Sequence, residues 1–316
     1  MKALITELIW DEGIAELKSQ GFEVDYDETL WADRERLLEI LPGYEAVIVR
    51  NQTRVDSEFL DAGSRLRAVG RLGVGLDNID VQYAKDKNIK VVFARHANAT
   101  SVAEYVMAAI LSSSRPLHLA DSDVRNGSWN RKKYTGGELY QKTVGLIGLG
   151  EISHRVARRA NAFGMKLIGY DPFITEYDHI VSETGVTVKS TLHQLLEEAD
   201  YVSLHVPLTS STQHLLSSPQ LSIMKSSAYV INTSRGGIID EIALSEALQT
   251  RVIAGAYLDV LEQEPVRESH PLLHCETATL TPHIAGLTEE SQVRTSFLVA
   301  KEIGKVLKGE QSLCTV

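Results

Sequence analysis

The stretch TVGLIGLGEISHRV, residues 143–156, joins an apolar run to two glycines, Gly148 and Gly150, and leads into the amphipathic run HRVARRANAFG. A buried strand, a tight turn and a helix in that order form a cradle for a dinucleotide pyrophosphate. The first glycine makes the turn, the second lets backbone approach the phosphates, and a third lets helix and strand pack closely. Ser153 stands at the third position. A side chain that small changes the packing role alone and predicts slight helix displacement with binding retained. Twenty-one residues past Gly150 the run KLIGYD ends in Asp171. A carboxylate there can accept hydrogen bonds from an adenosine ribose and repels a 2′-phosphate, so the pattern predicts NAD in preference to NADP.

Three later stretches, INTSRGGIIDE, AYLDVLEQEP and LTPHIAG, each follow an apolar run and so each mark a strand end. Open α/β sheets bind ligands at the carboxyl ends of their strands. Arg235, flanked by Gly236 and Gly237, can present its guanidinium to two ligand oxygens at once. His283 can titrate near neutral pH, as an acid/base must. A carboxylate beside it would orient the ring and stabilise its charged form, and by sequence both Glu262 and Glu264 are available for that task.

These residues need elements to hold them. The first hundred residues alternate short apolar runs (KALITELI, FEVDYD, EAVIVR, LRAVGR, IKVVFA) with amphipathic ones (DEGIAELKSQG, DRERLLEILPG), the β-α rhythm of a parallel sheet. A long helical stretch, SVAEYVMAAILSSS, follows, with Thr100 or Ser101 as its expected cap. A second β-α series starts at Thr143. The fold expected is α/β: two parallel-sheet domains, Rossmann-like or flavodoxin-like, with a cleft between them. Residues 1–97 plus 288–316 are expected to form one discontinuous domain, the last helical run returning to the first unit, and residues 98–287 the dinucleotide-binding domain.

Composition excludes several classes. With 43% hydrophobic and 23% charged residues the chain is neither disordered nor membrane-spanning in character. A net charge of −10 opposes general affinity for nucleic acid or acidic membranes, so any anionic ligand must meet a local basic cluster. Cys275 and Cys314 are too few for a disulfide framework and not spaced as metal ligands, which points to a reducing compartment, the cytoplasm, and to no metal. The N-terminal MKALITELIWDEG, interrupted by Glu7 and Asp11, reads as a first strand and not as a signal peptide.

In order and spacing, VGRLGVGLDNID, NATSVAEYV, GLIGLGEI, LHVPLTSSTQHL, MKSSAYVINTSRGGIIDE, AGAYLDVLEQEP and TPHIAG resemble the D-isomer-specific 2-hydroxyacid dehydrogenases along almost the whole chain. The resemblance implies that Arg235 binds the substrate carboxylate and carbonyl, that His283 is the acid/base, and that Glu264, rather than Glu262, pairs with it. It further implies cofactor contacts from Gly148, Gly150, Glu151 and Ile152 in the glycine loop, and from Asp171. His205, Pro207, Thr212, Thr233 and Ser234 would contact the cofactor at the next strand ends. Asp259, Ala285 and Gly286 would lie near the nicotinamide, which Arg235 and His283 border. The backbone of Val74 and Gly75 would receive the substrate carboxylate. Departures from the family pattern are Ser153, Gln141 and Ala285, each where a glycine is common, and Glu151, a carboxylate beside a pyrophosphate that Arg155 can offset.

Within that family VIVRNQTRV and GRLGVGLDNID look most like 3-phosphoglycerate and sulfolactate dehydrogenases. Arg50 and Arg71, with Arg54 nearby, suit a substrate carrying a second anion. The competing reading pairs Arg50 and Arg71 with acids such as Asp77 or Asp80. The chain ends soon after its returning helical run, so the regulatory domain of longer phosphoglycerate dehydrogenases, and feedback control through it, are not expected. The expectation is thus a homodimeric NAD-dependent oxidoreductase acting on a small anionic 2-hydroxy or 2-keto acid. Two rivals stay open: a sulfolactate, hydroxypyruvate or glyoxylate enzyme of the same chemistry, and a non-enzymatic NAD(H)-sensing protein.

Overall fold

Parallel strands covered by helices on both faces must be apolar on both sides, and runs such as AVIV at 46–49 and VGLI at 144–147 are. The computed structural model describes residues 1–316 and divides them into two units, Met1–Asn98 with Leu287–Val316, and Ala99–Gly286.

The first unit holds β1 (Lys2–Ile5), β2 (Glu23–Tyr26), β3 (Ala46–Val49), β4 (Ala68–Arg71) and β5 (Lys90–Phe93). All pair in parallel in the order β2-β1-β3-β4-β5, the flavodoxin-like arrangement. The helix Glu289–Leu307 packs on β4, β5 and the helix Asp11–Ser19. Val299, Ala300 and Ile303 bury its inner stripe with Ala3, Ile5 and Ile48. Each fully buried Val, Ile or Leu of this kind contributes about 1.5–3 kcal/mol, which draws a terminal segment back across the chain.

The second unit holds β6 (Thr143–Ile147), β7 (Lys166–Tyr170), β8 (Thr187–Val188), β9 (Tyr201–Leu204), β10 (Tyr229–Asn232), β11 (Gly255–Leu258) and β12 (Ala278–Leu280). Its seven parallel strands run β12-β11-β10-β9-β6-β7-β8. Strand order reverses between β6 and β9, and ligands of doubly wound sheets bind outside the carboxyl ends of the strands at that reversal. The glycine loop leaves β6 and His205 follows β9, so both stand at this point. One expectation fails locally. The long helix begins at Ala99, which places Thr100 and Ser101 inside its first turn and not at its cap. The Thr100 hydroxyl accepts instead from Arg155 on the helix Glu151–Ala162.

Candidate active site

The glycine loop is built around one left-handed residue. Gly148 has φ +85°, and a Cβ on it would lie 2.5 Å from the carbonyl oxygen of His205. Only glycine fits both constraints. Ser153, the replacement for a third glycine, is fully buried, and its hydroxyl donates to the Gly148 carbonyl, stitching helix to turn. Gln141, another position where the resemblance expects glycine, also has a positive φ, +63°.

The helix Glu151–Ala162 starts at Gly150 with no side-chain cap, whereas Asp33, Asp56, Asp80 and Asp240 cap other helices. The first N–H groups of a helix lack intrahelical partners, so these are open to a ligand anion. A Cβ on Gly150 would meet nothing within 4 Å, which leaves room for a phosphate. The Glu151 carboxylate is turned away by Arg155, whose Nε donates to Oε1 at 2.8 Å. Ile152 packs into the core beneath the loop. Asp171 accepts from Leu149 N–H and Phe173 N–H, both at 2.9 Å, one on each oxygen. Each oxygen keeps a lone pair for a hydroxyl.

Two buried polar atoms nearby have no partner in the protein, His205 Nδ1 and Thr233 Oγ1. Buried groups left this way are unusual and point to a ligand partner. His205 bonds through Nε2 to Ser203 Oγ at 2.9 Å, and burial lowers its pKa to about 3, so the ring is neutral. The Ser234 hydroxyl donates to the Leu204 carbonyl at 2.6 Å, and Thr212 holds its own loop by donating to the Pro207 carbonyl at 2.6 Å. Open helix donors, a cleared approach at Gly150, an acceptor at Asp171 and two unpartnered buried atoms fit a nicotinamide dinucleotide.

Beyond the adjacent strands β10, β11 and β12 lie Arg235, Glu264 and His283. His283 Nδ1 meets Glu264 Oε2 at 2.8 Å, and Glu264 Oε1 accepts from Leu261 N–H at 3.0 Å. Burial alone would raise the Glu264 pKa. The hydrogen bonds from His283 and Leu261, with the charges of His283 and Arg235, hold it below the usual carboxylate range. An ionised carboxylate only accepts, so Nδ1 carries hydrogen and Nε2 is left to exchange a proton. Glu262 does otherwise: its carboxylate meets His214 at 3.1 Å. Arg235 is half-buried and donates from Nη1 to the Ser234 carbonyl at 2.6 Å.

His283 itself is left-handed, φ +56°. Asp259, 1% exposed, holds that conformation, since its carboxylate accepts from the Thr281 hydroxyl (2.6 Å), Ile284 N–H (2.8 Å) and Ala285 N–H (2.7 Å). Ala285 is buried beside it, and Gly286 ends the unit. Tyr105 meets Thr281 Oγ1 at 2.6 Å. Sequence reading missed this clamp, because nothing in the types or spacing of Tyr105 and Thr281 marks them as neighbours.

In the first unit the Arg50 guanidinium donates to Gln292 at 2.6 Å and lies over the Trp10 ring at 5.9 Å. It bonds to neither Asp77 nor Asp80; Asp80 caps a helix through Tyr83 N–H. Burial lowers the Arg50 pKa, opposed by the charge of Glu7. Arg71 donates to the Leu72 carbonyl at 2.7 Å, and Arg54 pairs with Asp56 at 3.4 Å. The N–H groups of Val74 and Gly75 are taken up by no hydrogen bond of the chain. Glu7, read above as a mere interruption of an apolar run, is 4% exposed and accepts from the N–H groups of Arg50, Asn51, Gln52 and Thr53.

This geometry defines a parallel α/β dinucleotide-binding unit with a paired histidine and glutamate at adjoining strand ends. Residues 107–285 match the family model described as D-isomer specific 2-hydroxyacid dehydrogenase, NAD binding domain. The D-3-phosphoglycerate dehydrogenase of Methanocaldococcus jannaschii is 41% identical over 310 residues, 98% of this chain and 58% of that protein. The (S)-sulfolactate dehydrogenase of Chromohalobacter salexigens is 43% identical over 304 residues, 96% and 97% respectively. A crystal structure of a Thermus thermophilus protein matches over the full length of both chains, with a TM-score of 0.90 at 30% identity. The chain belongs to the D-isomer-specific 2-hydroxyacid dehydrogenase family, and Ala99–Gly286 contains its NAD-binding domain. It spans just over half the length of the archaeal phosphoglycerate dehydrogenase, 58%, and nearly all of the sulfolactate dehydrogenase.

Proposed function

We propose that this chain is an NAD-dependent dehydrogenase interconverting a small D-2-hydroxy acid and its 2-keto acid, the substrate bearing a second anion as in 3-phosphoglycerate or sulfolactate. The observation that carries the reading is the 2.8 Å contact between His283 Nδ1 and an ionised Glu264, which leaves Nε2 as a proton donor and acceptor. It favours an enzyme over a binding protein, since a sensor needs no poised imidazole. Bound nicotinamide supplies the two-electron chemistry at the substrate C2. His283 gives a proton to the keto oxygen in reduction and takes it back in oxidation, Glu264 stabilising the charged ring. Arg235 grips the substrate carboxylate and carbonyl. Asp171, an acceptor only, favours the ribose diol of NAD over a phosphate.

Arg50 is the group assigned to the second anion, because its hydrogen-bond partner is the neutral Gln292, which leaves its charge uncompensated by that contact. The reading includes a cytoplasmic homodimer. No helix is long and apolar enough to cross a membrane, and both cysteines are free. The helix Leu117–Arg125 buries none of its residues, and Leu117 and Trp129 are 70% and 78% exposed, a face suited to a second copy.

The test is steady-state kinetics with NADH and a panel of pyruvate, glyoxylate, hydroxypyruvate, 3-phosphohydroxypyruvate and 3-sulfopyruvate. A charge-assisted contact of about 1.5–3 kcal/mol predicts a roughly ten- to hundredfold kcat/KM advantage for the doubly anionic acids over pyruvate. In Arg50→Ala that ratio is expected to fall toward unity. Equal losses on both substrate types would make Arg50 structural, and no activity on any 2-keto acid would overturn the reading as a whole.

A further inference from the structure

Glu241 is a buried carboxylate that the proposed chemistry does not use. It opens the helix Glu241–Gln249, capped by Asp240, and is 5% exposed. Its Oε1 accepts the N–H of Glu262 at 2.6 Å, and its Oε2 meets His270 Nε2 at 2.9 Å. His270 Nδ1 accepts from Leu272 N–H at 3.4 Å, so the hydrogen of the neutral ring is on Nε2 and points at Glu241. Both carboxylate oxygens are thereby engaged, one by a loop backbone and one by a side chain that fixes the carboxylate in place.

The loop so held is the one that carries Glu264. The residue next to the pinned N–H, Leu261, donates to Glu264 Oε1, and Glu264 Oε2 holds His283. The same loop backbone touches the Arg235 turn: a Cβ on Gly236 would lie 2.0 Å from the Leu261 carbonyl oxygen and 2.4 Å from Glu262 N. Contact that close transmits any shift of Leu261–Glu262 to the residue following Arg235. On its solvent side the loop is held by the Glu262 carboxylate and His214.

We propose that Glu241 is a positioning residue for the proton-transfer pair: by pinning Glu262 N–H it sets where Glu264 meets His283. This rests on the catalytic reading of His283 given above. A carboxylate serving stability alone would affect unfolding without changing turnover in the protein that remains folded. A positioning residue acts through Glu264, so its loss must show in kcat and must be redundant with loss of Glu264.

The experiment is a double-mutant cycle on the full chain with Glu241→Ala, Glu241→Gln, Glu264→Gln and the double variant Glu241→Ala/Glu264→Gln. kcat, KM and the pH profile of reduction are measured on the best keto acid of the panel, and NADH affinity by fluorescence. Glu241→Ala is expected to lose about tenfold or more in kcat, with KM and NADH affinity within about threefold, and to shift the pH profile in the same sense as Glu264→Gln. Glu241→Gln, which keeps an oxygen for Glu262 N–H, should recover most of the lost rate. The double variant should be no slower than Glu264→Gln alone. If Glu241→Ala does not fold, Glu241→Asp replaces it in the cycle, because its shorter side chain withdraws the acceptor and keeps the charge. Wild-type kcat and pH profile in the folded variant, equal impairment of the Ala and Gln variants, or additive losses in the double variant would each overturn the proposal. His283→Ala separates the two levels. If it turns over normally the catalytic reading itself fails, whereas a dead His283→Ala beside an unaffected Glu241→Ala refutes only the positioning role.

Discussion

Replacing Asp259 with asparagine tests whether the His283 loop is held by one buried carboxylate. In the wild type Oδ1 accepts from the Thr281 hydroxyl and Ile284 N–H, and Oδ2 from Ala285 N–H, at 2.6–2.8 Å. Thr281 gives its only hydroxyl hydrogen to Asp259, so the Tyr105 hydroxyl donates to Thr281 and extends the clamp to the helix Ala99–Ser114. An amide keeps one acceptor oxygen. In its better orientation that oxygen retains Thr281 and Ile284 while the amide nitrogen confronts Ala285 N–H, donor against donor. The variant then loses one charge-assisted bond, about 1.5–3 kcal/mol, and strands a buried N–H, which costs about 1–3 kcal/mol. The two losses overlap, and a net destabilisation of about 2–4 kcal/mol is expected. The left-handed backbone of His283 also costs about 1–3 kcal/mol and persists only while its surroundings enforce it, so the loosened loop should relax and kcat should fall with stability. Urea unfolding gives the first quantity and steady-state turnover the second. Tyr105→Phe, which removes only the outermost donor, should cost about 1 kcal/mol and serves as the graded comparison. An Asp259→Asn protein within about 0.5 kcal/mol of wild type and with unchanged turnover would refute the clamp.

Two other outcomes are expected. Glu264→Gln should move the pH at which reduction fails downward, because the ionised partner that supports the protonated ring is removed; a kcat/KM profile superimposable on wild type would contradict the pairing. The ligand-free protein should lose stability in acid through His205, whose folded pKa is depressed from 6.5 to about 3 by burial. The unfolded chain binds that proton first, so the contribution is complete above about pH 6.5 and declines by up to about 1.4 kcal/mol per pH unit as pH falls toward 3. Urea midpoints of wild type and His205→Asn between pH 7 and 4.5 should converge, and parallel curves would mean that His205 titrates freely.

Much of this was legible because it is local. Val144 to Ile147, Gly148, Gly150 and the following helix are contiguous, and hydrophobic period and turn chemistry report them directly. Arg235, Glu264 and His283 could be singled out as strand-end residues, yet the choice between Glu262 and Glu264 depended on the resemblance. The structure shows the reason for the ambiguity. Both glutamates lie on one exposed turn, and only the fold brings His214 to one and His283 to the other. What stayed hidden were charges buried by distant partners. Glu7 sits in an ordinary amphipathic run, and its role depends on backbone 43 to 46 residues away. Asp240-Glu241 before an apolar run reads as a helix start with an acidic first turn, a solvated pattern that gives no sign of burial. Thr100 and Ser101 have the right types for a cap, but the helix begins before them at Ala99 and Thr100 is used by Arg155.

These hidden acids share a physical cause. Segments leaving the carboxyl ends of parallel strands must be irregular to present side chains to ligands, and irregular backbone has N–H groups that no ladder satisfies. Here carboxylates satisfy them: Glu7 takes four N–H groups after β3, Asp259 takes two after β12, Asp171 takes two around the glycine loop, and Glu241 and Glu264 take one each after β11. An acid is well suited to this, since charge-assisted acceptance is stronger than acceptance by a neutral amide. The consequence for binding is selective. N–H groups consumed by the chain's own carboxylates cannot receive a ligand anion, whereas those at the uncapped start of the helix Glu151–Ala162 and those of Val74 and Gly75 are not consumed in this way. A protein of net charge −10 thus keeps, at the start of the helix Glu151–Ala162, backbone donors able to receive the pyrophosphate of the proposed chemistry.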